Sequence, residues 1–226
     1  MHLAHGRFRT QPRRGNVVGH RVTFHPEEVQ LVNGVRVTTP QRSWLDLAAS
    51  LSLHDLVIAA DHLICAHGPE FPFPREGICS PQNLRTTTSR HPGRRGVKTA
   101  RLALDLMRIG ADSPPETKMR LLLIEAGLPE PELNLALRNE SGTAVVWPDA
   151  GYRNAKIALQ YDGAHHGTAE QYQRDIRRAL ETERLGWQEI RIGAQDLEGD
   201  HPAVLDKVRR ALNRSLPPPI PSRVHT

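Results

Sequence analysis

Residues 155–161, AKIALQY, limit the architecture of this chain more than any other segment. The run is apolar enough for a strand in a buried, central position, and a strand buried on both faces needs helices to cover its sheet. Helical patterns stand on either side of it. Upstream, Ser113-Pro114-Pro115-Glu116 is a helix start: a capping serine, prolines tolerated in the first turn, and an acid where the helix dipole favours negative charge. This helix is expected to run to about Ala126 with Met119, Leu122, Leu123 and Ala126 on its apolar face, and Gly127 and Pro129 stop it. Further strands are expected over 133–138 and 144–147, with turn chemistry at Glu140-Ser141-Gly142 and Gly151-Tyr152-Arg153-Asn154. A helix over 169–185, a strand over 188–192 and a helix over 201–213 follow. The resulting order is αβββαβα.

The first half has a different texture. Residues 17–38 read as short strands, alternating in Arg21-Val22-Thr23-Phe24 and in Gly34-Val35-Arg36-Val37-Thr38, with breaks at Pro26 and Asn33-Gly34. Thr39-Pro40 starts a pair of helices whose apolar residues, among them Leu45, Ala48, Leu56, Val57, Ala60 and Ile64, recur at helical spacing with an interruption over 50–54. Residues 67–95 are expected to be irregular with a short helix over 81–85, and a helix over 97–109 closes this half. The expected division is 1–110, a small strand-and-helix region, then 111–214, an α/β domain, then a Pro-rich tail at 215–226. There is no internal repeat.

Composition narrows the classes. Of 226 residues, 38% are hydrophobic and 24% charged, the balance of an ordinary folded chain rather than a disordered one. No apolar run approaches the roughly 20 residues of a bilayer crossing, and the basic, polar start is unlike a secretory signal, so a cytoplasmic location is expected. Cys65 and Cys79 form no Cys-x-x-Cys pair of the kind that builds a structural zinc site, and both are expected to be small buried thiols in a reducing compartment. Residues 1–111 carry 15 Lys and Arg against 8 acids, whereas 112–226 carry 15 against 17. A basic front half points to phosphate attraction and hence to DNA, with simple solubility as the ordinary alternative.

The residues able to carry chemistry cluster in Trp147-Pro148-Asp149 and Gln160-Tyr161-Asp162-Gly163-Ala164-His165-His166. If a turn joins the two segments as antiparallel neighbours, Asp149 and Gln160 meet at adjacent strand ends, and Gln160 and Asp162 share a face by the period of two. Oxygens converging in this way suit a hard cation such as Mg²⁺ or Mn²⁺, which can activate water and stabilise charge on a phosphate.

These residues resemble the PD-(D/E)XK nuclease superfamily and, more closely, the very-short-patch-repair-endonuclease-like domain of actinobacterial proteins. There a Glu-Tyr-Asp-Gly-x-x-His segment precedes Asp-x-x-Arg on a helix and a Gly-Trp strand entrance. Here the matching pieces are Gln160 to His166, then Asp175-Ile176-Arg177-Arg178, then Gly186-Trp187, with Ser113 to Glu116 as the opening helix. The resemblance covers residues 112–210. More weakly, Gly34 to Ser43 and Leu45-Asp46-Leu47-Ala48 resemble the connecting region of AbiEi-like antitoxin proteins, whose leading winged helix has no counterpart here because only about 16 residues precede the first expected strand.

The resemblance implies a restriction-endonuclease-like αβββαβ core and a metal-dependent DNA endonuclease or nickase. It also implies Asp149 and Glu116 as metal-facing acids and Gln160 where the family carries Glu. Asp162 occupies the place of the superfamily's lysine, and His166, or His165 beside it, would assist water activation. Arg153, Lys156, His165, Arg174 and Arg178 are the expected DNA contacts. A second implied reading is a catalytically weak DNA-binding regulator with a cognate toxin partner. Each residue also has an ordinary role open to it: a turn for Asp149 and Asp162, a helix start for Glu116, a surface ion pair for Asp175 and Arg178.

Overall fold

Among the residues described by the computed structural model (2–5, 15–16, 18–163 and 169–215), seven α-helices and four small sheets form a mixed α/β architecture. The first sheet pairs β1 (His2–His5) in parallel with β2 (Val18–Arg21). The second is a hairpin of β3 (Val29–Val32) and β4 (Val35–Thr38) around Asn33 and Gly34, whose φ of 48° and 78° supply the two left-handed residues such a two-residue turn needs.

The strand expected over 21–24 is displaced: β2 ends at Arg21, and the first strand begins at His2, well before residue 16. The physical reason lies in Arg42. Its Nη1 donates to the Thr23 carbonyl at 3.2 Å and its guanidinium stacks 4.6 Å from the Phe24 ring, so this stretch answers to a helix side chain rather than to a ladder.

Helices α1 (Pro40–Leu47), α2 (Leu53–Ile64), α3 (Pro81–Arg90) and α4 (Val97–Leu106) enclose a core that includes Trp44, Leu45, Leu56, Val57, Ile64, Leu84 and Leu104. Trp44 satisfies its indole by donating to the Leu56 carbonyl at 2.9 Å. Helix α3 is twice the length expected. Ser80 and Asn83 cap each other reciprocally, Pro81 sits in the first turn, and the buried face is made of Leu84, Thr87 and Thr88, a stripe too polar to show in an apolar pattern.

Gly96 begins α4 with φ of 82°, and a Cβ there would stand 2.2 Å from the Ala48 carbonyl oxygen. Gly96→Ala is therefore expected to cost at least about 1–2 kcal/mol from left-handed strain alone. Thermal unfolding should report it as a drop of roughly 2–4 °C per kcal/mol, and an unchanged Tm would contradict the packing described.

The second half contains α5 (Pro114–Glu125), β5 (Leu137–Arg138), β6 (Ala144–Val146), β7 (Ala150–Tyr152), β8 (Ile157–Asp162), α6 (Ala169–Arg184), β9 (Gln188–Gly193) and α7 (Ala203–Ser215). Strand β8 is central: antiparallel to β7, parallel to β9, with Ile157, Ala158 and Leu159 all buried. A parallel neighbour requires a crossover, and α6 supplies it.

Two boundaries differ from expectation. Gly151 and Tyr152 belong to β7, and the turn lies at 153–156, where Lys156 takes a φ of 51°. Gly151 tolerates no side chain, since a Cβ would meet the Ile157 carbonyl oxygen at 2.5 Å, and this close approach explains a glycine in a strand. The strand expected over 133–138 shrinks to Leu137–Arg138 because Asn134, at φ of 52°, interrupts it.

Helix α5 serves both cores: Leu121 packs with the first-half helices, Met119 and Leu123 with the β7–β8–β9 sheet. Its expected apolar face is thus too narrow, for Glu116, Thr117 and Arg120 are buried as well. No helix among the described residues is long and apolar enough to cross a membrane.

Candidate functional site

The register of the central sheet decides where Asp149 goes. Ala150 pairs with Leu159, so the residue before it stands opposite Gln160. Gln160 Nε2 donates to Asp149 Oδ1 at 2.9 Å, and the Tyr161 backbone N–H donates to Oδ2 at 2.6 Å. The expected meeting of Asp149 and Gln160 across adjacent strands is therefore present, although the turn that joins their strands lies two residues later than expected.

Glu116 approaches from the start of α5. Its carboxylate accepts from the Asp112 backbone N–H at 2.8 Å and from Ser113 Oγ at 2.7 Å, which clamps the helix N-terminus. That structural task coexists with an electrostatic one. Burial, and next the charge of Asp149, push Glu116 up to about 7. Burial likewise pushes Asp149 up to about 6, against the Tyr161 N–H, the Arg178 charge and the Gln160 amide, while the charge of Asp112 adds to the rise.

An oxygen without a partner completes the set. Gln160 Oε1 is buried and accepts no hydrogen bond. Among the described residues it shares that condition with buried atoms of Thr39, Arg42, Arg120, Trp147 and Arg178, and it is the one that stands beside Asp149. Two raised carboxyls and an amide oxygen are the ligand types that hard divalent cations take. The set is one charge short of three carboxylates. Among the described residues, the groups of three Asp, Glu, His or Cys whose ligand atoms lie within 4.8 Å of one another are His25, Glu28 and His91, and Cys65, His67 and Asp112. Neither includes Glu116 or Asp149.

The other expected residues divide. Asp162 ends β8 opposite Gly193, exposed, in the alternating position shared with Gln160. His165 and His166 lie outside the described residues. Arg178 is paired with Asp175 at 3.1 Å and faces Glu189 at 3.7 Å, so the ordinary ion pair exists, and its charge also reaches Asp149. Arg153 is held by Glu132 at 3.0 Å, whereas Lys156 and Arg174 are exposed. Sequence reasoning missed Asp112, which donates its backbone to Glu116 and raises both acids. Its position just before the Ser113 cap was the available signal.

The raised pair has a thermodynamic consequence with a definite sign. Well below the ordinary values of 3.8 for Asp149 and 4.5 for Glu116 both acids are protonated in folded and unfolded chain alike. As pH rises toward about 6 and 7 the unfolded chain has released these protons and the folded chain still holds them, so folding stability contributed by the pair falls across that window. Chemical denaturation between pH 4 and 8 should show this fall, and Glu116→Gln should flatten it. An equally steep fall in that variant would separate the pH dependence from Glu116.

Two proteins of Mycobacterium tuberculosis are similar to this chain: uncharacterized protein Rv2248 of strain H37Rv and uncharacterized protein MT2308 of strain CDC 1551. Each is 26% identical over 221 residues, covering 95% of this chain and 74% of the relative. No family model and no solved structure matches the chain.

Proposed function

We propose that the chain is a metal-dependent DNA endonuclease or nickase of the PD-(D/E)XK, very-short-patch-repair-like type, with a restriction-endonuclease-like core built on α5, the strands around β8, and α6. The observation that carries this reading is the meeting of Asp149 and Gln160 across β7 and β8 beside buried Glu116, with Gln160 Oε1 left unpartnered. Asp149, Glu116 and Gln160 would hold Mg²⁺ or Mn²⁺. Such an ion, when bound, lowers the pKa of its water and stabilises charge developing on a phosphate. Arg178 holds positive charge beside Asp149, and exposed Lys156 and Arg174 offer phosphate contacts.

One observation favours a second reading, a DNA-binding regulator with a weakened site and a toxin partner. The Gln160 amide points its N–H at Asp149 Oδ1, so it occupies the oxygen that a glutamate at this position would leave free for a cation. Supercoiled plasmid incubated with the protein and Mg²⁺ or Mn²⁺ separates the two. Nicking that requires the metal supports the nuclease. Salt-sensitive DNA retention with no nicking at any metal concentration selects the regulator.

A further inference from the structure

The end of α2, the loop that follows it and the residue before the Ser113 cap bring Cys65, His67 and Asp112 together, although 45 residues separate His67 from Asp112. Cys65 Sγ lies 3.7 Å from His67 Nε2 and 3.7 Å from Asp112 Oδ1, and Nε2 lies 2.9 Å from that same oxygen. One sulfur, one imidazole nitrogen and one carboxylate oxygen thus form a small triangle. With metal bonds of roughly 2.3 Å to sulfur and 2.0–2.2 Å to nitrogen and oxygen, ligands around a tetrahedral ion stand roughly 3.3–3.7 Å apart, so the two sulfur distances already match and the nitrogen–oxygen pair has to open by about half an ångström.

The support behind the triangle points the same way. His67 Nδ1 donates to Asn134 Oδ1 at 2.6 Å, and Asn134 is itself oriented by donating Nδ2 to the Ala66 carbonyl at 3.1 Å. The ring is thereby fixed with Nε2 facing Asp112 Oδ1 at 2.9 Å, a place that a proton on Nε2 fills in the metal-free chain and a bound cation would take over. A ring nitrogen held by an acceptor on its far side is the usual outer support of a metal-bound histidine. Gly110 packs against this asparagine, where a Cβ would fall 2.6 Å from Asn134 Cγ.

We propose that Cys65, His67 and Asp112 bind a transition-metal ion of the zinc class. The mixed sulfur, nitrogen and oxygen set selects such an ion over Mg²⁺ or Ca²⁺, which take oxygen ligands. On binding, the Cys65 thiol releases its proton to solvent and the thiolate sulfur donates to the metal. In the metal-free chain Arg75 holds the same groups: its Nη2 lies 3.0 Å from Asp112 Oδ1 and its side chain also hydrogen-bonds Cys65. The ion would tie α2 to the start of α5. The site shares no ligand with the Mg²⁺ reading above, although Asp112 also holds Glu116 through its backbone N–H; the sulfur-to-metal band read below reports on Cys65 alone.

Titrating the chelator-treated full chain with Co²⁺ tests the proposal. The expected result is a thiolate-to-Co²⁺ charge-transfer band saturating at one equivalent, bleached by Zn²⁺ and unaffected by excess Mg²⁺. The band should vanish in Cys65→Ser and persist in Cys79→Ser. No band in the parent chain, a band that survives Cys65→Ser, or a band lost in Cys79→Ser overturns the site. Should Cys65→Ser fail to fold, unchanged Co²⁺ affinity in His67→Ala overturns it equally.

Discussion

Asp149→Ala should lower metal-dependent plasmid nicking by more than about 100-fold, because loss of a direct ligand exceeds the roughly 10- to 100-fold cost of losing an outer support. Two hydrogen bonds converge on this carboxylate, so truncation also leaves the Tyr161 N–H without an acceptor. That orphan should cost about 1–3 kcal/mol. Stability and activity must therefore be read together, with nicking measured well below the variant's own Tm. Gln160→Glu separates chemistry from folding. It replaces the N–H that occupies Asp149 Oδ1 with a third carboxylate beside Asp149 and Glu116, so the metal-free variant should be less stable than the parent. Mg²⁺ should raise its Tm more than the parent's, and nicking should increase. A glutamate variant with no larger Mg²⁺ shift would remove the cation from the proposal, and nicking that survives in Asp149→Ala would place the chemistry elsewhere.

Parts of this arrangement were legible because they rest on local rules. The apolar run around Leu159 gave a buried central strand, Asn33-Gly34 gave a hairpin turn, and the spacing of Asp149 from Gln160 gave neighbouring strand ends. The turn between them was placed two residues early because Gly151 and Tyr152 carry turn chemistry in their sequence. The glycine is there for a different reason, the close approach of the Ile157 carbonyl, and only the folded sheet reveals it. Helix α3 reads shorter in the sequence than it is for a similar cause, since part of its buried face is polar and Thr88 Oγ1 is satisfied within the helix by donating to the Leu84 carbonyl at 2.8 Å. Local rules mark Glu116 only as a helix start, and its grouping with Asp149 comes from the family resemblance, while the charge of Asp149 that raises it belongs to the folded chain. The Cys65, His67 and Asp112 triangle was not legible at all, for no periodicity links residues that far apart in the chain.

The deepest illegible feature is also the one whose loss should be felt most by the fold. Asp61 on α2 and Arg120 on α5 are fully buried and meet at 2.8 Å. Asp61 also accepts from Thr117 Oγ1 at 3.0 Å and from the Arg108 backbone N–H at 2.7 Å, while Arg120 Nη1 reaches Glu130 at 3.1 Å. Burial pushes the Asp61 carboxyl up, and the arginine with its neighbouring donors opposes that push. The pair joins the two cores that α5 serves, yet Arg120 Nε is buried without a partner, so the network is not fully satisfied. Burying two charges gains little net stability when they are paired, but removing one partner strands the other. Arg120→Ala should therefore cost about 3–5 kcal/mol, a fall in Tm of roughly 6–20 °C. Arg120→Met combined with Asp61→Leu should cost less than the sum of the single changes, because neither charge is then stranded, although the Thr117 hydroxyl and the Arg108 N–H lose their acceptor. A double-mutant cycle by denaturant unfolding measures the coupling. Additive losses would mean that the two cores are held together by the apolar packing of α5 around Leu121, with the ion pair contributing little.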